Sequence, residues 1–77
     1  MIIKVLFFAH LREVFGPSRS IECVEGTSAG EAISGLLGGR GASALPLRYA
    51  VNEQFEEPSR VLNEGDVVAV ITPVAGG

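Results

Sequence analysis

Cysteine occurs once in the 77 residues, at Cys23, and histidine once, at His10. A single thiol excludes an internal disulfide framework and any multi-cysteine metal or cluster site. A single histidine has no second ligand and no clear base partner, so His10 is expected to be solvated and not catalytic. Basic residues are also few. Lys4, Arg12, Arg19, Arg40, Arg48 and Arg60 are scattered among nine acidic residues, for a net charge of -3. No run of them tracks a phosphate backbone, and Phe7, Phe8, Phe15, Tyr49 and Phe55 lack the spacing of a base-stacking platform. Nucleic acid is therefore not an expected partner. No apolar run approaches the ~20 residues that span a bilayer. Lys4 interrupts the amino-terminal apolar stretch that a signal peptide would need. No membrane partner is expected, and a cytosolic location is. "GLLGGRG" does not match the glycine-rich phosphate loop, which needs a following Lys, so nucleotide binding of that type is not supported.

What the chain does have is enough apolar residue for one modest core. Hydrophobic residues make up 47%, which favours folding over disorder. A chain of this length forms a single domain and buries only about 60% of its unfolded surface. "MIIKVLFFA" is rich in β-branched and aromatic residues and reads as a strand. Alternation puts Ile3, Val5 and Phe7 on one face and Lys4, Leu6 and Phe8 on the other, wetter face. "HLREVFGPS" breaks that strand, with Gly16-Pro17 as the stop. "RSIECV" is a second short strand that turns Ile21 and Cys23 inward and Glu22 outward.

"EGTSAGEAISGLLGG" carries the one main helix. Ser28 and Glu31 fit a capping box, Ala29, Ile33, Leu36 and Leu37 recur at helical spacing, and Gly38-Gly39 stop the helix. Gly30 and Gly35 each weaken it by roughly 0.5–1 kcal/mol relative to Ala. "RGASALPL" is a loop, "RYAVN" a third strand and "NEQF" a turn. "EEPSRVL" is irregular, with Glu56 and Glu57 solvated. "NEGD" is a turn signal, and "DVVAVITP" is the last strand, with Val68 and Val70 opposed to Val67, Ala69 and Ile71. The order strand, strand, helix, strand, strand gives an α+β fold with a sheet of four or five strands. One helix covers one face of such a sheet, and the other face normally alternates to polar. Here Leu6 and Phe8 in the first strand and both faces of the last are apolar. If those strands are neighbours, the uncovered face carries a continuous apolar patch, the usual mark of a partner surface.

The sequence ends "ITPVAGG". Gly is already 10 of 77 residues, against a usual ~7%, so composition alone gives a terminal pair little weight. Position gives it more. Pro73 closes the last strand, and the residues from Thr72 to Gly77 can reach at most ~20 Å. Glycine has no Cβ and fits a narrow channel. The expected organisation is a folded body over 1–72 and a flexible tail over 73–77, whose carboxylate can be delivered into another protein's active site. Ordering that tail costs entropy, which a docking surface has to offset. The rest of the chain offers no competing chemistry. Cys23, on the inward side of a strand, is expected to be a core residue.

"KVLFFAHLRE", "AVNEQF", "LNEGDVVAVITPV" and the final "GG" together resemble the small subunit of molybdopterin synthase, the MoaD family. The resemblance spans nearly the whole chain, and "FFA..RE" is its most discriminating piece. Other ubiquitin-like sulfur carriers share only the "GD" before a strand and the "GG". The segment between Pro17 and Leu47 matches in pattern alone.

The resemblance implies a ubiquitin-like β-grasp fold, a mixed sheet wrapping one helix with the first and last strands parallel and adjacent. It implies a partner related to ubiquitin-activating enzymes, an adenylyltransferase that uses ATP to adenylate the Gly77 carboxylate. It implies a persulfide donor whose sulfur displaces AMP and leaves a thiocarboxylate. It implies a synthase large subunit that receives the tail, supplies the acid-base groups and holds cyclic pyranopterin monophosphate, so that no cofactor is bound stably to this chain. By position, Gly77 carries the sulfur and Gly76 gives it slim access. Phe8, Phe55 and Ile71 form the apolar docking surface, Arg12 adds a polar contact at its edge, and Pro73 and Val74 join the partner contact. Two other products fit the same tail: sulfur for the thiazole of thiamine, or isopeptide bonds to lysines as a ubiquitin-like protein modifier.

Overall fold

A computed structural model describes residues 1–37 and 47–71. Seven elements follow one another: β1 (Ile2–Phe7), α1 (Ala9–Phe15), β2 (Ser18–Glu22), α2 (Ala29–Leu37), β3 (Arg48–Val51), β4 (Gln54–Glu56) and β5 (Val67–Ile71). The strands form one mixed sheet in the order β2-β1-β5-β3-β4. β1 and β5 are parallel at its centre, and every other pair is antiparallel. This is the β-grasp arrangement that the resemblance implies, with five strands.

The strand faces follow the alternation in the sequence. Val5 lies opposite Val68 and Phe7 opposite Val70, while Tyr49 and Val51 of β3 lie opposite Val70 and Val68. All six are buried, together with Ile3. They meet Ala29, Ala32, Ile33 and Leu37 from α2 in a single core. The capping box at the start of α2 is formed: the Glu31 N–H donates to Ser28 Oγ, 3.2 Å, and the Ser28 N–H donates to Glu31 Oε1, 3.0 Å. The backbone bond from Ser28 lowers the Glu31 pKa from its ordinary value, and the Ser28 side chain adds to that effect.

Three expectations need correction. The stretch after β1, expected only to break the strand, forms a second helix: Ala9–Phe15, 7 residues, which buries Leu11 and Phe15. Two apolar residues four apart hold it, with Phe15 stacked on Phe7 at 5.2 Å between centroids and the Arg19 guanidinium 5.6 Å from the Phe15 centroid. Gly16, at φ 87, ends it and donates its N–H to the Arg12 carbonyl, 2.8 Å. "NEQF" is a hairpin and not merely a turn: Asn52 and Glu53, at φ 50 and 72, reverse the chain into β4, which pairs with β3. Positive φ at both turn positions matches the twist of the flanking strands. Finally, Glu56 is not solvated loop. It ends β4 half-buried and is ion-paired with Arg60. The expected helix stop at Gly38-Gly39 lies outside the described residues.

A polar clasp ties the β3–β4 hairpin to the turn before β5. Buried Asp66 accepts from Asn52 Nδ2 at 3.0 Å and from the Asn63 N–H at 2.7 Å. Asn52 returns the contact through Oδ1, which accepts from the Val67 N–H at 3.0 Å. The Asn52 amide first, and the Asn63 N–H second, hold the Asp66 carboxyl below the usual carboxylate range. A carboxyl whose folded pKa is depressed contributes stability above its ordinary value near ~3.9 and loses it as pH falls through the folded value. Asp66→Ala should therefore cost about 1–3 kcal/mol at neutral pH, the range for donors left without an acceptor. In urea melts that cost should shrink as pH drops below ~4.

The two helix glycines are not equivalent. A Cβ on Gly30 would lie 3.0 Å from Pro58 Cβ and 3.1 Å from the Pro58 carbonyl oxygen, whereas one on Gly35 would meet nothing within 4 Å. The Gly30 N–H also donates to that carbonyl at 2.8 Å, so Gly30 is where α2 closes on the irregular segment. Gly35→Ala should raise stability by about 0.5–1 kcal/mol. Gly30→Ala should give none of that gain, as thermal melts of the two variants would show.

Candidate functional site

With α2 on one face, the other face of the sheet is free of helix. The strand registers line up Leu6 with Ala69, Ala69 with Ala50 and Ala50 with Phe55, so one apolar row crosses four strands. Val67 lies along β5 beside that row, and Arg48 stands opposite Ile71. One step beyond the last β1–β5 pair, Phe7 with Val70, the same register brings Phe8 level with Ile71. Phe8 is 44% exposed and Phe55 68%. Ile71, Leu6, Ala69 and Val67 are half-buried. The two alanines make a shallow floor between aromatic walls about 14 Å apart, three strand spacings.

Phe8 stands at this rim for a local reason. It occupies the N-cap of α1 in an extended conformation, φ -132 and ψ 159, with no side-chain capping bond. An N-cap favours Ser, Thr, Asp or Asn, whose oxygens satisfy the first free N–H groups. The next residue, Ala9, has φ 51, a left-handed conformation that costs a non-glycine residue roughly 1–2 kcal/mol. Together these two features turn the chain so that Leu11 enters the core while Phe8 stays out. Arg12 follows one helical turn later, exposed, its N–H donating to the Phe8 carbonyl at 3.4 Å.

The structure thus brings Phe8, Arg12 and Ile71 together at one corner and sets Phe55 at the far edge of the same face. Gly76, Gly77, Pro73 and Val74 lie outside the described residues. Arg48, beside Ile71, was not singled out from the sequence, since only the β3–β5 register puts it there. Among the described residues Lys4, Arg12 and Arg48 form no ion pair, so a face of apolar centre carries a cationic rim on a chain of net charge -3. Next to this face, Arg48, Tyr49, Phe55 and Pro58 help line a groove of about 610 Å³. Burial raises the Tyr49 phenol pKa from its ordinary value.

Among the described residues no acid-base constellation competes with this surface. No three described His, Cys, Asp or Glu side chains are grouped so that they could hold a metal ion. His10 is well exposed, 3.8 Å from an equally exposed Glu13. Cys23 is half-buried and packs against the core. Among the described residues no helix is long and apolar enough to cross a membrane.

Comparison with known proteins agrees with the fold. The model of the ThiS family matches residues 5–77. The chain is 31% identical, over 83 aligned residues covering all of both proteins, to the molybdopterin synthase sulfur carrier subunit of Chlamydomonas reinhardtii. Among solved structures, SAMP1 of Haloferax volcanii superposes with a TM-score of 0.81 at 21% identity over the full length of both chains. The complex of subunits 1 and 2 of molybdopterin-converting factor from Helicobacter pylori contains a chain matched with a TM-score of 0.67 at 23% identity, again over the full length of both.

Two neighbouring aromatics should respond very differently to substitution. Phe7 is 1% exposed, so Phe7→Ala should cost about 3–5 kcal/mol. Phe8→Asp should stay within about 1 kcal/mol of the parent in urea melts, because the cap it gains offsets the apolar contact it loses. Ala9→Gly should raise stability by about 1 kcal/mol through relief of the left-handed strain. A loss of stability there would mean that α1 holds its entry angle by other contacts.

Proposed function

The chain belongs to the ThiS family, and on that premise we propose that it is the sulfur carrier subunit of a molybdopterin synthase. The observation that carries this reading is the full-length 31% identity to a subunit of that name. In this reading the Gly77 carboxylate is the reactive group and the folded body is the handle. A bare carboxylate is a poor acyl donor, so an adenylyltransferase first joins it to AMP at the expense of ATP. The terminal sulfur of a persulfide attacks the acyl carbon and AMP leaves. A second thiolate of the sulfur donor then attacks the inner sulfur of the acyl disulfide, forms a disulfide with it and releases the thiocarboxylate. Gly76 and Gly77 then enter the large subunit, where the sulfur attacks cyclic pyranopterin monophosphate. Two rounds would complete a dithiolene.

The apolar face supports the docking half of this scheme. Inserting a chain end into a partner fixes its backbone at about 1–2 kcal/mol per residue. Phe8, Ile71 and Phe55 are the exposed or half-buried apolar groups available to offset it, with Ala50 and Ala69 letting a partner side chain approach the sheet. Arg12 pairs at the corner, Pro73 and Val74 lead from the face to the tail, and the cationic rim calls for acidic groups on the large subunit. A cytosolic setting, with ATP and a persulfide donor at hand, suits this chemistry.

The test is the intact mass of the full chain after incubation with an adenylating partner, ATP and a sulfur donor. Replacement of one oxygen by one sulfur is expected, and deletion of Gly77 should abolish it without moving the melting temperature. Mass appearing instead on lysines of other proteins would replace the carrier reading with that of a protein modifier. Phe8→Asp should weaken large-subunit binding at least tenfold, since a buried charge replaces an aromatic anchor. Unchanged binding in calorimetry would remove Phe8 from the docking surface.

A further inference from the structure

In the stretch "FFAHLRE", Phe7 belongs to the core, Phe8 and Arg12 belong to the open face, and Ala9 serves neither. Ala9 is exposed and sits at φ 51. Its methyl therefore offsets none of the left-handed strain through burial. Among the described residues five others have positive φ. Gly16, Gly26 and Gly65 carry no Cβ to strain. Asn52 and Glu53 form the hairpin turn, where positive φ suits the strands, and both ends of the Asn52 amide are hydrogen-bonded. Of the described positive-φ residues, only Ala9 is neither a glycine nor part of a hairpin turn.

Both sides of Ala9 are pinned. Before it, Phe7 is buried in register with Val70, stacks on Phe15 and donates its N–H to the Pro17 carbonyl at 3.0 Å. After it, Leu11 is wholly buried. The far end of α1 is tied back by Arg19, whose Nε–H donates to the Phe15 carbonyl at 3.3 Å. Phe8, Ala9 and His10 bridge these fixed points. A strained backbone persists where its surroundings over-determine it, and such places gather at binding sites. What this bridge fixes is the direction of Phe8. The left-handed well open to an L-residue is small, so alanine there holds the peptide between Phe8 and Ala9 in one setting. Glycine would reach a much wider range. The Phe8 carbonyl accepts from the Arg12 N–H at 3.4 Å, so the same setting links Phe8 to the start of α1.

We propose that Ala9 is a positioning residue for docking. Its side chain denies the backbone other conformations and so holds the exposed Phe8 ring ready for the large subunit. The inference rests on the sulfur carrier reading, which supplies that partner. An aromatic already held in its bound orientation loses less freedom on binding than one that has to be ordered. Aromatic anchors dominate interfaces of this kind, so loosening one of them weakens the whole contact.

The test compares the full chain with Ala9→Gly and with a synthetic chain carrying the D-enantiomer of alanine at the same position. A D-residue favours the left-handed region as an L-residue favours the right-handed one. It removes the strain and keeps the restriction. Ala9→Gly should melt higher yet bind the large subunit roughly three- to tenfold more weakly in calorimetry. The D-alanine chain should melt higher and bind as tightly as the parent. In the free chains, 15N relaxation should find the Phe8 amide rigid in the parent and in the D-alanine form, and looser in Ala9→Gly. A purely structural role would move affinity and stability together. Ala9→Gly binding as well as the parent, or the D-alanine chain binding as weakly as Ala9→Gly, would overturn the proposal. So would a Phe8 amide equally rigid in all three chains, a result read without any partner. A parent chain that does not bind the large subunit removes the carrier reading and this inference with it. A parent that binds no better than Ala9→Gly removes the inference alone.

Discussion

The parallel pairing of β1 with β5 is the constraint on which the rest depends. It joins the two ends of the chain, with Lys4 level with Val67 and Phe7 level with Val70. Closing a loop of that length costs entropy before any contact repays it. What repays it is the inner face: Val5, Phe7, Val68 and Val70 are almost wholly buried against α2, in adjacent strands and in register. A slip of one residue would present Lys4 and Leu6 to the core instead. The register that secures the core also decides the outer face. Once Phe7 lies opposite Val70, Leu6 must lie opposite Ala69, and Phe8 must follow to the level of Ile71.

The outer face is where the fold gives up stability. Phe8 holds an N-cap that a hydroxyl or carboxylate would fill better. Ala9 sits at φ 51, and Phe55 is more exposed than any buried-core role would leave it. Each breaks a local rule, and all three lie on or next to one surface. Departures from local consistency are expected at functional sites. The uncapped helix, the strained alanine and the exposed aromatic therefore strengthen one another as marks of a partner face. The deep core, by contrast, breaks no such rule: the described buried side-chain polar atoms all have partners.

Much of this was legible in the sequence because alternation and capping are local. The faces of β1 and β5, the Ser28–Glu31 box and the Asn63–Asp66 turn all follow from residues within one or two turns of chain. α1 was not legible, since two apolar residues and a Gly-Pro stop resemble a loop until Phe7 is known to stack on Phe15. β4 was missed because three residues, Gln54–Glu56, carry too little alternation, and Asn52-Glu53 lacks the glycine that usually announces such a turn. Arg48 and the Asn52–Asp66 clasp depend on register between segments distant in sequence, which no local pattern encodes. Gly30 read as a weakness for the same reason: its partner, Pro58, is 28 positions away, and only the fold shows that the missing Cβ makes room for it.

In the proposed function successive enzymes grip the body, and such a body faces a conflict if it has only one surface to offer. A face buried enough to position a chain end cannot also be read by the enzyme that loads it until the first partner leaves. The sheet of this chain is covered on one side by α2, so the open face is the one such partners would take in turn. The open face is apolar with a cationic rim of Lys4, Arg12 and Arg48. Glu22, opposite Ile2 in the β1–β2 register, stands on this same face at the end away from Phe8. A partner complementary to this face therefore needs an apolar contact over Ala50 and Ala69 with acidic groups set toward Arg12 and Arg48 and away from Glu22, because like charges brought together at an interface oppose binding.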